Sequence, residues 1–219
     1  MPSELRKTGR TSGSRHPERS THERDAAYAI LDEALVAHVG LVTDDGVMVL
    51  PMTYARIADE LVLHGAAASR WLRTFDDGRD VSVCVTLLDG LVLARSAFSH
   101  SMNYRSVIAF GRATVVRDEA RKGAAFKALL DHLLPGRWED CRQPDRKEIA
   151  ATTVLSLPLD EASIKIRSGP PKDAAKDHGL EYWAGIIPLT MEAGRPMADP
   201  TMQRHCPVPA YAATFRRPG

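Results

Sequence analysis

The sequence has few cysteines, no long apolar run and no excess charge of either sign, and each shortage removes a class of protein. Cys84, Cys141 and Cys206 are its only cysteines in 219 residues. They form no C-x-x-C pair, and the adjacency of His205 and Cys206 in a proline-rich stretch is not a zinc pattern. A low, odd number of thiols fits a reducing compartment. No stretch approaches the ~18 consecutive apolar residues of a membrane helix. The opening residues, MPSELRKTGRTSGSRHPERS, lack the apolar centre of a secretory signal, so a cytoplasmic location is expected. Lys and Arg number 29 against 28 Asp and Glu. That balance argues against nucleic-acid phosphates or an anionic membrane as the main partner, while leaving room for a local basic site. The G-x-S-x-G nucleophile motif is absent, and no two carboxylates stand out as an acid/base pair.

What is present is a barrel-forming pattern between two polar ends. Residues 1–19 carry only Met1 and Leu5 as sizeable apolar side chains and read as a disordered or clamping arm. Residues 191–219 form a proline-rich tail that holds Pro196, Pro200, Pro207, Pro209 and Pro218. The folded unit is expected over 20–190. Ser20 and Glu23 have capping-box spacing, and Tyr28, Leu31 and Leu35 fall on one helical face, which predicts a helix over 21–37. The period then changes to strands at 38–43 and 47–57, joined by Asp44-Asp45-Gly46. The second of these is apolar in both alternating sets, so both its faces are expected to be covered. Further strands are expected at 61–64, 81–87, 91–97, 104–116, 152–157 and 163–167, with a turn at Asp89-Gly90 and a bend at Gly111. A second helix is expected over 118–134. The reading is a mainly β protein with peripheral helices, a six- to seven-stranded antiparallel barrel.

Three clusters have the chemistry of a ligand site. In LVLHGAAASR a strand meets a Gly/Ala turn and a helix is expected to open with Ser69 and Arg70. Free N–H groups there, with the hydroxyl and guanidinium, would suit a phosphate. The same residues also suit an ordinary turn followed by a solvated helical turn. Pro51 cannot donate to a sheet ladder, which places it at an edge or a barrel opening. An opening beside Thr53 and Tyr54 would leave backbone groups for a planar heteroaromatic ligand. The loop FSHSMNYRSV is dense in polar side chains, and Arg105 and Ser106 stand where it becomes a strand. His64 and His100 are possible haem or metal ligands, although isolated histidines near strand ends are commonly structural. Arg137 lies in a charged segment that reads as surface loop.

Taken in order, the stretches VLPMTYARIADELVLHGAAASRWL, DGLVLARSAFSHSMNYRSVIAFGRA, LPGRWEDCRQP, EASIKIRSGPP and YWAGIIPL resemble the pyridoxamine 5′-phosphate oxidase-like family of FMN-binding split barrels. The likeness is greater to its branch of flavin-nucleotide-binding proteins related to nitroimidazole-resistance proteins. It spans about residues 20–190, and N-Y-R-S-V-x-x-x-G-R is its most specific element. The resemblance implies a split barrel and a homodimer with a flavin in each of two clefts between subunits. It places Met52, Thr53 and Tyr54 along the isoalloxazine edge, and His64 and Gly65 near ribityl and phosphate. Ser69 and Arg70 match the family's pair at the FMN phosphate. Arg105 and Ser106 match a second contact. Lys165 and Arg167 would reach the partner's flavin, with Trp183 closing the cleft.

Two departures qualify the substrate. Trp71 stands where the oxidases that make pyridoxal phosphate have a second basic residue. The chain continues Ser168-Gly169-Pro170-Pro171-Lys172-Asp173 in place of an Arg-x-His-x-Arg segment. The expected function is therefore an FMN-dependent oxidoreductase, moving a hydride between reduced nicotinamide and a small electron-poor substrate. The flavin supplies the chemistry, and His64 is the candidate catalytic side chain. FAD, deazaflavin or haem are the alternative cofactors. A haem protein using His64 or His100 as axial ligand, and a flavin-binding module without turnover, are the rival functions.

Overall fold

The computed structural model describes residues 3–12, 15–203 and 206–216. Met1, Gly13, Ser14, His205 and Pro218 lie outside the described residues. In chain order the elements are β1 (Ser20–Thr21), α1 (Arg24–Glu33), β2 (Val36–Thr43), β3 (Gly46–Ile57), β4 (Glu60–Ala66), β5 (Arg79–Leu93), β6 (Ser101–Val115), α2 (Glu119–Leu133), α3 (Arg146–Ala150), β7 (Thr152–Pro158), β8 (Glu161–Arg167), β9 (Gly185–Pro188) and α4 (Ala210–Ala213). The nine strands run in the order β1-β8-β6-β7-β4-β3-β2-β5-β9, and an added β5–β6 pairing closes a barrel of β2 to β7. The mainly β class, with peripheral helices, is as read from the sequence. The closed ring holds six strands, within the expected six to seven, and β1, β8 and β9 attach outside it.

The barrel is split by its stagger. From Ser106 the neighbouring strands present Thr86, then Val36 in line with it, Thr53, His64 and Val154. The path returns to β6 at Val116, whose N–H donates to Val154 O. That is ten residues beyond its start on the same strand. A stagger this large tilts the strands strongly, so one edge of β6 cannot be filled by β7 alone. β8 pairs with Tyr104–Phe110 and β7 with Thr114–Val115. The change of partner falls at Gly111, where an added Cβ would stand 2.9 Å from Leu157 Cδ1. The bend expected there is thus where the split occurs.

Alternation decides what each strand buries. Tyr54, Leu63, Val83, Val85, Val107 and Ile164 point into the barrel, and α1 caps one end with Ala27, Ile30 and Leu31. The opposite face of β3, β4 and β7 is covered by Ala125 and Leu129 of α2, which pack on Ala55, Val62 and Val154. Asp118 caps α2 by accepting from Arg121 N–H at 2.8 Å. Coverage of both faces of β3 holds only for this half. Val47 and Val49 are 81% and 59% exposed, with Val42 and Val36 exposed beside them.

Three local expectations are corrected. The first helix begins at Arg24, because Ser20 and Thr21 pair with β8, and the capping box does not form. It ends at Glu33 as the chain turns extended into β2. Asp89-Gly90 is a bulge in one continuous fifteen-residue strand, since β6 and β9 hold β5 on either side of it. The third correction, at Ser69, concerns the site and is taken up below. Pro51 lies where β3 is bonded to β2 alone, for β4 joins only from Tyr54 onward.

The N-terminal segment follows β8. Leu5 is buried, its N–H donates to His22 O at 2.8 Å, and Arg6, Thr8 and Arg10 converge on the buried carboxylate of Glu161. Near the other end, Tyr211 of α4 donates to Asp140 Oδ2 at 2.5 Å. No helix among the described residues is long and apolar enough to cross a membrane.

Candidate functional site

Residues expected at the site divide by the face of the barrel they occupy. Thr53, His64, Ser106 and Lys165 all lie on the outer face, along the row of neighbours that runs round the barrel. Ser106 is the register partner of both Thr86 and Lys165. His64 Nδ1 is 3.5 Å from Thr53 Oγ1, at the limit of a hydrogen bond. Burial pushes the His64 imidazole below its ordinary value of 6.5, which favours the neutral ring. The Lys165 side chain has neither hydrogen bond nor ion pair with the described residues, its backbone being held in the ladders with β1 and β6. Met52 and Tyr54 point inward. Tyr54 is fully buried and its hydroxyl donates to Leu31 O at 2.5 Å, so its side chain belongs to the core.

The turn after β4 departs from expectation. No α-helix opens at Ser69. The chain makes a tight turn and then a four-residue 3₁₀ helix, Leu72–Phe75, so the anion site of a helix N-terminus does not form. Ala67 and Ser69 spend their N–H groups on Ala151 O and Ala66 O, at 2.8 and 2.9 Å. The physical cause is that Leu72 and Phe75 are pulled into the core. Leu72 packs so closely on Gly65 that an added Cβ would lie 2.7 Å from its Cδ1. The glycine is required by this close approach. Ser69 and Arg70 instead line an open recess of about 480 Å3 with the β2–β3 hairpin, Trp71, Thr74 and Arg79. Arg70 is exposed and has no partner among the described residues.

Arg105 does not join the other cations. Its Nε and Nη2 donate to Asp89 at 3.0 and 2.8 Å, Nη2 also donates to Glu33 Oε1 at 2.8 Å, and Nη1 donates to Glu33 Oε2. Its hydrogen bonds to the carboxylates of Asp89 and Glu33 raise its pKa further above the ordinary arginine value. The fork ties α1 to the β5 bulge. Nothing in local spacing reveals it, because Glu33, Asp89 and Arg105 meet only through the tertiary fold. Arg167 is buried, and donates to Asn103 Oδ1 and to the carbonyls of Gly169 and Pro170. Trp183 is 67% exposed and lies against Gly185 at the start of β9. His100 is exposed, with Nδ1 3.0 Å from Ser96 O. The structure therefore joins Thr53 with His64 and Ser106 with Lys165, places Ser69 and Arg70 at the hairpin recess, and separates Tyr54 and Arg105 from them. Beside Lys165 and Arg167 stand Arg19, which carries no sequence signal, Ser20, which reads as a helix cap, and Asn103, which reads only as part of a polar loop.

The family model described as pyridoxamine 5′-phosphate oxidase matches residues 23–166. A search of curated proteins returns no match. Among solved structures, the flavocytochrome Anf3 from Azotobacter vinelandii is 37% identical, with 96% of this chain and 98% of that chain covered and a TM-score of 0.90. The FAD and heme binding protein from Mycobacterium smegmatis is 38% identical, with 88% and 95% covered and a TM-score of 0.84. A candidate 5-nitroimidazole antibiotic resistance protein from Bacteroides thetaiotaomicron VPI-5482 shares the fold at 20% identity, with 67% and 86% covered and a TM-score of 0.55. Closed barrel, split sixth strand, family match and near-full-length relatives agree, and the chain belongs to the pyridoxamine 5′-phosphate oxidase family.

Proposed function

We propose that this protein is a flavin- and haem-carrying oxidoreductase that takes electrons from a reduced nicotinamide and passes them to a small electron-poor acceptor. The observation that carries the reading is His64. It is half-buried and kept neutral by burial, with Nδ1 near Thr53 and no described partner on Nε2. A neutral imidazole whose tautomer is set by a second group is what an iron ligand requires. The names of the two relatives at 37% and 38% identity, a flavocytochrome and an FAD and heme binding protein, point the same way.

The residues present also fit a flavin. Arg70 and Lys165 lack carboxylate partners among the described residues, and Ser69 beside the one and Ser106 beside the other add hydroxyls, two separate donor sets of the kind a phosphate ester needs. Val36, Val42, Val47 and Val49 make an exposed apolar sheet face suited to a planar ring and a second subunit. A cytoplasmic homodimer follows as part of the proposal. Bound there, a flavin supplies hydride chemistry and a haem one-electron chemistry. The chain's own work is to hold anionic groups, with Arg70 at the hairpin recess and Lys165 on the outer face, to orient His64 through Thr53, and to exclude water with the valine face. Arg105, saturated by Glu33 and Asp89, serves the scaffold.

The test is the visible spectrum of the full-length protein, purified and reconstituted with haem and with FMN or FAD. Flavin bands and a Soret band are expected, and His64→Ala should remove the Soret band while keeping the flavin. Absence of flavin bands after reconstitution would overturn the proposal. A Soret band unaffected by His64→Ala would remove the ligand assignment.

A further inference from the structure

We infer that Arg19, Ser20, Lys165 and Arg167 form an anion site that binds a phosphate group. It rests on the flavin reading only for which molecule carries that phosphate. Arg167 is 6% exposed, yet all its acceptors are neutral: Asn103 Oδ1, Gly169 O at 3.2 Å and Pro170 O at 3.4 Å. Its Nε is buried with no hydrogen-bond partner. No carboxylate among the described residues pairs with it. Burial and the charge of Arg19 both lower its pKa. A buried cation without a counter-charge is destabilising, and a bound anion would offset that cost.

A second orphan lies beside it. Ser20 Oγ is buried and unpartnered. Ser20 is the register partner of Lys165 on β8, and Lys165 and Arg167 are two apart, so all three share one face. Ser106 and Tyr104 flank them from β6, opposite Lys165 and Arg167. Arg19 precedes Ser20, has a side chain only 22% exposed, and its ion pair with Glu18 is long at 3.7 Å. Other arginines with largely buried side chains differ. Arg24, Arg95 and Arg105 are each neutralised by a carboxylate within 3.0 Å. Arg167 and Lys165 without a carboxylate, Arg19 close enough to be felt by Arg167, and a hydroxyl without a partner match a doubly charged group with several acceptor oxygens. Arg19, Ser20 and Arg167 all lie outside residues 23–166, the span of the family match. The site is therefore built by the N-terminal segment upon β8.

The experiment uses the full-length protein and inorganic phosphate, with sodium chloride at equal ionic strength as control. Phosphate is expected to raise the melting temperature beyond the chloride control. Arg19→Ala and Ser20→Ala, both peripheral to the core, should weaken phosphate binding by about tenfold or more for the arginine and less for the serine. Arg167→Lys, which keeps the charge and loses the fork, should also weaken it. Riboflavin, FMN and FAD then identify the carrier. If Arg19→Ala weakens FMN or FAD and spares riboflavin, the phosphate belongs to the flavin. If it weakens inorganic phosphate and spares all three, the phosphate belongs to another ligand, and the site stands. No phosphate effect beyond chloride, or an effect unchanged in both Arg19→Ala and Ser20→Ala, would overturn the inference. So would a partner-subunit carboxylate seated on Arg167 in a crystal of the dimer. Failure of the flavin reading shows separately, as missing flavin bands, and leaves the phosphate measurement intact.

Discussion

Replacing Glu161 by Gln tests how firmly the N-terminal segment is held to the barrel. The carboxylate is 2% exposed and accepts from Arg10 Nε at 2.7 Å, Arg6 Nη2 at 2.8 Å and Thr8 Oγ1 at 2.5 Å. These bonds, that of Arg10 foremost, hold it down to about 2 from the ordinary 4.5. A depressed carboxylate stabilises the folded state fully above its unfolded value and loses that contribution as pH falls toward the folded one. Taken whole, the displacement is worth about 3 kcal/mol. The side chains of Arg6 and Arg10 are 65% and 54% exposed, and solvent screening reduces the figure to about 1–2 kcal/mol. Thermal unfolding followed by circular dichroism should therefore show Glu161→Gln melting about 2–8 °C below wild type at pH 7. With midpoints of 4.5 and about 2, about 40% of the difference should remain at pH 3. Trypsin should also cleave after Arg6 and Arg10 faster in the variant. Equal melting temperatures at pH 7, or a gap that stays constant down to pH 3, would refute the reasoning.

Two further outcomes follow from the site. His64, held below 6.5 by burial, should titrate below that value by NMR. As pH falls below 6.5 the unfolded chain binds the proton first, so this group subtracts stability until its folded value is reached; a midpoint at or above 6.5 would contradict the assignment. Gly65→Ala forces a Cβ to 2.7 Å from the buried Leu72 and should cost about 1–3 kcal/mol by overpacking, read as a lower urea midpoint. An unchanged midpoint would show that the 3₁₀ segment yields freely.

Local signals fared well where the information was local. Asp44-Asp45-Gly46 joins β2 and β3 as expected, with Gly46 at φ +112, because a two-residue turn is specified by its own residues. The helical spacing of Phe126, Leu129, Leu130 and Leu133, ended by Pro135-Gly136, predicts α2 for the same reason. Misreadings arose where tertiary partners outbid local preference. Ser20 looks like a helix cap, but β8 claims its backbone. Asp89-Gly90 looks like a turn, but strands on both sides of β5 keep it extended as a bulge. Ser69 looks like a helix start, but the core draws in Leu72 and Phe75 first.

By itself the sequence determined the strand alternation, the hairpin, the two longer helices and the family motifs, because each depends on residues within a dozen positions of one another. Only the tertiary structure decided which side chains share a face. The ten-residue stagger brings Ser106 beside Lys165 and opens the edge that β8 fills. The same packing hands Arg105 to Glu33 and Asp89, and leaves Arg167 buried without a counter-charge. Charge pairing between distant strands is set by register, and register is set by how the whole barrel closes.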